Sequence, residues 1–421
     1  MKWVAVSVVV LAAGCARSPS HDVASAASSA SASPPVSSAM PSASAATESP
    51  ATSTSAAPAV VPDVPLEGLD FIAQARVLFR IGACGAGDVP ARFDAAVVSK
   101  HCDELTHAAD DYRRSWVDVA RPVLASLRPR DLPRVVVYPF GGGDLVSALA
   151  TFPDATEITT ISLEPAGDVR PIDTLPPDLL AHELGVHRSH LERLYEKAHS
   201  RTDNLEKEAR TQLPGEILFD LAALVVHGAE PLSLRYFRLG ADGKPVYLSQ
   251  ADLDLAKKNA DKHALFENAE LRFRVAGRAD APVQVLRHVA YNLDDWHLRA
   301  DGSLLAYLNG RPKVAAMTKA ASHLLWNDHF TLIRNWLADH TDWMVSDSTG
   351  IPPRYAKPAG FVQDTFGKFG GPAPFGLPDA QDADDFVKLF AANPQRDLAF
   401  RYGYPDKDGN AHLVVTRRAP R

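Results

Sequence analysis

Val135-Val136-Val137-Tyr138-Pro139-Phe140-Gly141-Gly142-Gly143-Asp144 is the stretch whose residue types best suit a site. An apolar β-branched run ends in three glycines and an acid, and a helical pattern follows. Glycines let a ligand approach the backbone where a strand ends, and the next helix offers it unpaired N–H groups. Tyr138, Gly141, Gly142 and Gly143 are therefore candidate ligand contacts, and Asp144 is a candidate catalytic group. Glu164 closes the second expected strand, about 20 residues on, where an acid commonly binds ribose hydroxyls. Farther along, the polar loop from Ser346 to Tyr355 follows a short apolar run, and Thr318-Lys319-Ala320-Ala321-Ser322-His323 precedes it. Strand-end loops are where sites concentrate in α/β sheets. They add Lys319, Asp347 and Arg354 to the catalytic candidates and Ser348 to the ligand contacts. Convergence of Asp144, Glu164, Lys319, Asp347 and Arg354 on one concave pocket implies an enzyme, and their dispersal implies a binding module. A blander reading stays open beside each: a glycine turn tight only for packing, and Asp347 and Ser348 bonding their own loop backbone.

Two further patterns suggest chemistry. His182-Glu183-Leu184-Gly185-Val186-His187 invites a zinc-protease reading but has its histidines at i and i+5, about 140° apart on a helix instead of about 40°. Leu180, Leu184, Leu191 and Leu194 instead place His187 in an apolar stripe with Glu183 and His190 near it, so a half-buried helix histidine is expected and no metal ligands are assigned. Ser346-Asp347-Ser348-Thr349-Gly350 loosely resembles the G-x-S-x-G nucleophile turn, with Asp385 and His412 later in hydrolase order. Ser346 replaces the first glycine of that pattern, and Pro352-Pro353 opposes the helix that should follow at once.

The elements positioning these residues read as mixed. Helical spacing covers 66–80, 103–127 (with Tyr112, Trp116, Val119 and Val123 on one face), 145–152 and 178–199. Residues 134–140 and 157–163 read as buried strands. Hairpins are expected at 232–239/245–248 around Asp242-Gly243, at 271–275/283–291, and at 398–404/412–417 around Asp408-Gly409. Helices are expected at 313–326 and 328–339, separated at Asn327-Asp328, and a short strand at 343–345. The fold class is α/β: a mixed, partly parallel Rossmann-like sheet elaborated with antiparallel β-hairpins.

Three stretches divide the chain. Residues 1–14 combine Lys2 with an apolar run from Val4 to Leu11, too short to span a bilayer. Leu11-Ala12-Ala13-Gly14-Cys15 resembles the lipobox of bacterial lipoproteins, with Ala12 where that pattern prefers Leu. The resemblance implies a cleaved signal, a lipidated Cys15, and attachment to a membrane through acyl chains. A plain secretory signal cut after a small residue is the alternative. Ala16, where an Asp would favour inner-membrane retention, leans the reading toward the outer membrane of a cell envelope, facing periplasm or surface. Residues 15–65 are rich in Ser, Ala and Pro and nearly uncharged, as expected of a disordered tether. Residues 66–421 are composed like one globular domain. A formal charge of -7 gives no basic surplus, so no nucleic-acid partner is expected. Cys84 and Cys102 remain as an even pair, and in an oxidising compartment a disulfide is expected.

The strand, glycine turn, helix and second strand from 134 to 164 resemble the first βαβ unit of Rossmann-like proteins, including class I methyltransferases. That implies a nucleotide cofactor. Pro139 at the strand end, the missing first-strand acid and the exported address speak against one, so no cofactor is assigned. The same stretch is similar to the oxyanion loop of hormone-sensitive-lipase-type esterases, with Phe140 in place of His. The runs Tyr138-Pro139-Phe140-Gly141-Gly142-Gly143-Asp144, Leu163-Glu164-Pro165 and Asp347-Ser348-Thr349-Gly350-Ile351-Pro352 resemble, in order, those of an uncharacterised bacterial protein family. It has Ser and Pro where this chain has Gly141 and Gly143. That likeness implies a shared fold over about 66–421 and no particular activity. The expectation is an envelope protein that binds an unknown small molecule or envelope partner, with an enzyme as the alternative.

Overall fold

The computed structural model describes residues 67–197, 212–256, 263–369, 380–403 and 411–419. The tether, the lipobox, residues 198–199 and the Asp408-Gly409 turn lie outside the described residues. Val60–Arg421 forms one compact unit.

Its centre is a ten-stranded sheet in the order β4-β3-β5-β6-β2-β1-β7-β8-β10-β9. The strands are β1 (Val135–Pro139), β2 (Glu157–Ser162), β3 (Ala229–Leu239), β4 (Pro245–Tyr247), β5 (Asn268–Val275), β6 (Gln284–Ala290), β7 (Val314–Thr318), β8 (Thr341–Ser346), β9 (Phe361–Gly367) and β10 (His412–Arg418). Five central strands, β6-β2-β1-β7-β8, run parallel. The flanking pairs β5/β6, β3/β5, β3/β4, β8/β10 and β9/β10 are antiparallel. The mixed α/β class is thus observed, as are the first two expected hairpins.

Parallel strands are buried on both faces, and alternation along each one divides its side chains between two cores. Val136, Tyr138, Ile158, Ala315, Met317, Trp343 and Val345 join one. Val137, Ile161, Ala316 and Met344 join the other. Against the first core pack α1 (Ile72–Ile81), α2 (Ala95–Tyr112), α3 (Asp118–Leu127), α4 (Leu145–Thr151), α5 (Leu180–Lys197) and α6 (Gly215–Val226). Against the second pack α7 (Asp295–Ala300), α8 (Ser303–Asn309) and α9 (Thr331–His340). A smaller cluster seats α10 (Ala380–Ala392) through Phe386 and Phe390 on Trp326 and Val414.

Three expectations fail. Residues 313–326 form strand β7 and a 3-10 stretch, Ala320–Trp326, instead of one helix. Val314-Ala315-Ala316-Met317-Thr318 is a short, uniformly apolar run, which periodicity cannot assign to helix or strand. The helix expected at 328–339 starts at Thr331, and the preceding turn is capped by Asn327, whose side chain accepts from His329 N. The last strand pairs with β8 and β9, and β9 was not foreseen; of 398–403, which form no strand, Tyr402 alone bonds it, its carbonyl accepting from His412 N at 3.0 Å. The Pro352-Pro353 prediction holds in part: one helical turn, Pro353–Ala356, starts on a proline and then ends.

Candidate functional site

β1 and β7 are neighbours whose connections leave to opposite faces of the sheet, so a crevice is expected between their carboxyl ends. In this protein an ion pair fills that place. Asp144 caps α4, its Oδ1 accepting from Ser147 N at 3.3 Å. Its Oδ2 accepts from Lys319 Nζ and from Tyr138 OH, both at 3.0 Å. Nζ also donates to Ser147 Oγ at 3.0 Å and lies 5.5 Å from the centre of the Tyr402 ring. Asp144 is 5% exposed and Lys319 1%. Burial, followed by the charge of Asp144, holds the Tyr138 hydroxyl well above its ordinary pKa, so it stays a donor. The positive φ of Phe140 and Gly142 turns the chain sharply from β1 into α4.

Asp347 and Ser348 occupy the adjacent carboxyl end, that of β8. Asp347 Oδ1 accepts from Thr349 N at 2.8 Å and bonds the Thr349 hydroxyl, which structures the loop. Ser348 Oγ lies 2.8 Å from His412 Nε2, at the start of β10. Gly403 passes so close that a Cβ there would stand 2.7 Å from His412 Nε2 and 2.8 Å from the Asp347 Cβ. The charges of Asp144 and Asp347 both bear on the Tyr138 and Tyr402 hydroxyls. Of the five catalytic candidates, Asp144, Lys319 and Asp347 are thereby brought into one buried polar cluster, with Ser348 beside them.

Glu164 and Arg354 are placed elsewhere. Glu164 lies two residues past β2, and its carbonyl accepts from His288 Nε2 at 2.8 Å. Arg354 sits over the Tyr355 ring with Nη1 3.9 Å from Asp385 Oδ2, beside a cavity of about 320 Å³ shared with Arg334 and Ile351. Asp385 therefore pairs with an arginine, and the sequence order Ser348, Asp385, His412 is not assembled as a triad.

The glycine run faces α6. A Cβ on Gly141 would meet the Tyr138 ring at 2.5 Å, and one on Gly143 would meet Phe219 Cβ at 2.8 Å and Glu216 Oε2 at 2.9 Å. Two of the three glycines are thus required by the protein's own packing. Gly142 lies between Ser162 and Glu216 Oε2. Glu216 is 4% exposed, and Oε2 has no hydrogen-bond partner among the described residues. Burial, then the charges of Glu164 and Asp220, push its pKa well up. Asp220, one turn on, is fully buried, and burial raises its carboxyl in the same direction. Sequence reasoning missed both. The available signal was two acids at i and i+4 in the otherwise apolar Gly215–Val226, because a buried polar group is informative where a buried Leu is not.

The other flagged groups lie on α5. Glu183 Oε2 accepts from Gln212 N at 2.9 Å and Leu213 N at 3.3 Å. His187 is buried more deeply than half, and burial together with His190 and His101 lowers its pKa to about 3. Cys84 and Cys102 form the expected disulfide, with Cα atoms 5.3 Å apart. No protein-family model matches the chain, and no curated protein matches it.

Proposed function

We propose that this chain is an envelope lipoprotein, held to a membrane by acyl chains on Cys15, whose body binds a ligand or partner without transforming it. The observation carrying this reading is the Asp144–Lys319 pair. At the switch point, where an open α/β enzyme keeps its reactive groups exposed to substrate, these two are spent on each other under almost complete burial. The group against the glycine turn that lacks such a pairing is the Glu216 carboxyl. A buried carboxyl oxygen without a donor costs about 1–3 kcal/mol. A donor-rich small molecule, such as a polyol, amino sugar or polyamine, would remove that cost.

The sheet itself bears on the alternative, a transferase. The run β6-β2-β1-β7-β8-β10-β9, with β10 antiparallel, follows the strand order of class I methyltransferases. Fold does not carry function, and the turn does not fit a nucleotide cofactor. Gly141 and Gly143 are closed by Tyr138 and Phe219, and the acid at 144 is neutralised by Lys319. The test is a thermal-shift screen of residues 60–421 against polyols, amino sugars, polyamines and nucleotides. Stabilisation by a donor-rich compound, lost in Glu216→Gln, supports binding. Stabilisation by S-adenosylmethionine alone, with methyl transfer, refutes it.

A second reading, a serine hydrolase, is favoured by the 2.8 Å Ser348–His412 contact. Each residue is only 1% exposed. A fluorophosphonate probe that labels Ser348 in the folded protein supports this reading, and absence of label removes it.

A further inference from the structure

The Cys84–Cys102 bond joins the segment after α1 to α2, and His101 stands next to it. One ligating atom from each of Cys84, Cys102 and His101 lies within 4.8 Å of the other two. His101 is buried, and its Nε2 is 3.0 Å from the Gly82 carbonyl oxygen. That contact requires the proton on Nε2 and leaves the lone pair on Nδ1, which has no hydrogen-bond partner among the described residues. A metal-ligating histidine commonly donates its other N–H to a backbone carbonyl in just this way, which fixes the tautomer. Cys84 and Cys102 are half-buried against the edge of the first core. Arg80 Nη1 lies 3.7 Å from Cys102 Sγ and stabilises that sulfur as a leaving thiolate.

We propose that Cys84, Cys102 and His101 form a redox-gated site for a borderline divalent cation, zinc being the natural probe. The site is closed while the disulfide stands. An external dithiol supplies the two electrons. Its thiolate attacks Cys84 Sγ, the S–S bond breaks, and Cys102 departs as a thiolate. The second thiol of the donor then resolves the mixed disulfide, so that the donor leaves oxidised and both cysteines are reduced, holding two protons. The cation displaces those protons and takes two thiolates and one neutral imidazole, with a fourth position for water. Two thiolate charges balance the dication, which suits a half-buried position.

The experiment uses the full chain in detergent, oxidised or reduced with a phosphine and desalted without air, and titrated with Co²⁺. The expected result is a sulfur-to-cobalt charge-transfer band at one equivalent in the reduced protein only, bleached by Zn²⁺. Cys102→Ser abolishes the band. His101→Gln, whose amide can still donate to Gly82, weakens binding roughly 10-fold or more. Alkylating the reduced wild-type protein gives the same loss and covers the case in which Cys102→Ser does not fold. No band on reduction, a band that survives alkylation, or unchanged affinity in His101→Gln overturns the proposal.

Discussion

Lys319 Nζ reaches Asp144 Oδ2 at 3.0 Å across 175 residues of chain, tying the end of β7 to the cap of α4. Removing one charge strands the other where water cannot solvate it. Lys319→Met is therefore expected to cost about 3–5 kcal/mol of unfolding free energy. Asp144→Asn/Lys319→Met together should cost clearly less than the two single changes summed, because neither then leaves a buried charge. Urea denaturation of the four proteins checks this. Additive costs would mean the pair is not coupled as described.

Asp220 makes the opposite kind of prediction. Its folded pKa is raised, so its unfavourable contribution is absent below the unfolded value of about 3.9 and grows as pH rises toward the folded one. Asp220→Asn should raise the melting temperature at pH 7.5 and leave it nearly unchanged at pH 4. A uniform effect at both pH values would show that burial does not raise this carboxyl as described.

Histidines give an acid limit. Burial lowers the pKa of His187 to about 3 and that of His227 to about 4, against about 6.5 unfolded. Both are depressed, so the stability they support is complete above pH 6.5 and is lost as pH falls toward those values. Each adds a slope of up to about 1.4 kcal/mol per pH unit. Melting temperature followed from pH 7 to pH 4.5 should drop steeply, and less steeply in His187→Gln.

Gly143→Ala tests the claim that the glycine turn is filled by α6. The new methyl would meet Phe219 Cβ at 2.8 Å, so a loss of about 1–3 kcal/mol is expected. Phe219→Leu moves no Cβ and should not rescue it. Tolerance of Gly143→Ala would point to open space there.

Much of the architecture could be read from the chain because its local signals agree. The apolar run at 135–139, the β-branched residues at 157–162 and the Asp242-Gly243 turn each fix one element with little help from the rest. The disulfide likewise follows from the two cysteines that remain once Cys15 is set aside. The β7 region was not legible, because Val314 to Thr318 is apolar on every side and only its neighbours β1 and β8 make it a strand. The sequence groups Lys319 with Asp144 even so, but only the β1/β7 pairing shows that the two close into a buried ion pair. Glu164 and Arg354 were grouped with Asp144 on the assumption that strand-end residues share a crevice. Glu164 instead lies past β2 with its carbonyl on His288, and Arg354 pairs with Asp385.

Where the chain resides decides which molecules can meet Glu216 at all. The direct measurement is intact mass of the amino-terminal peptide from membranes of cells making the full chain. A mature end at Cys15 carrying thioether-linked diacylglycerol is the predicted result. A cytosolic product that keeps Met1 and bears no fatty acid would contradict the proposal.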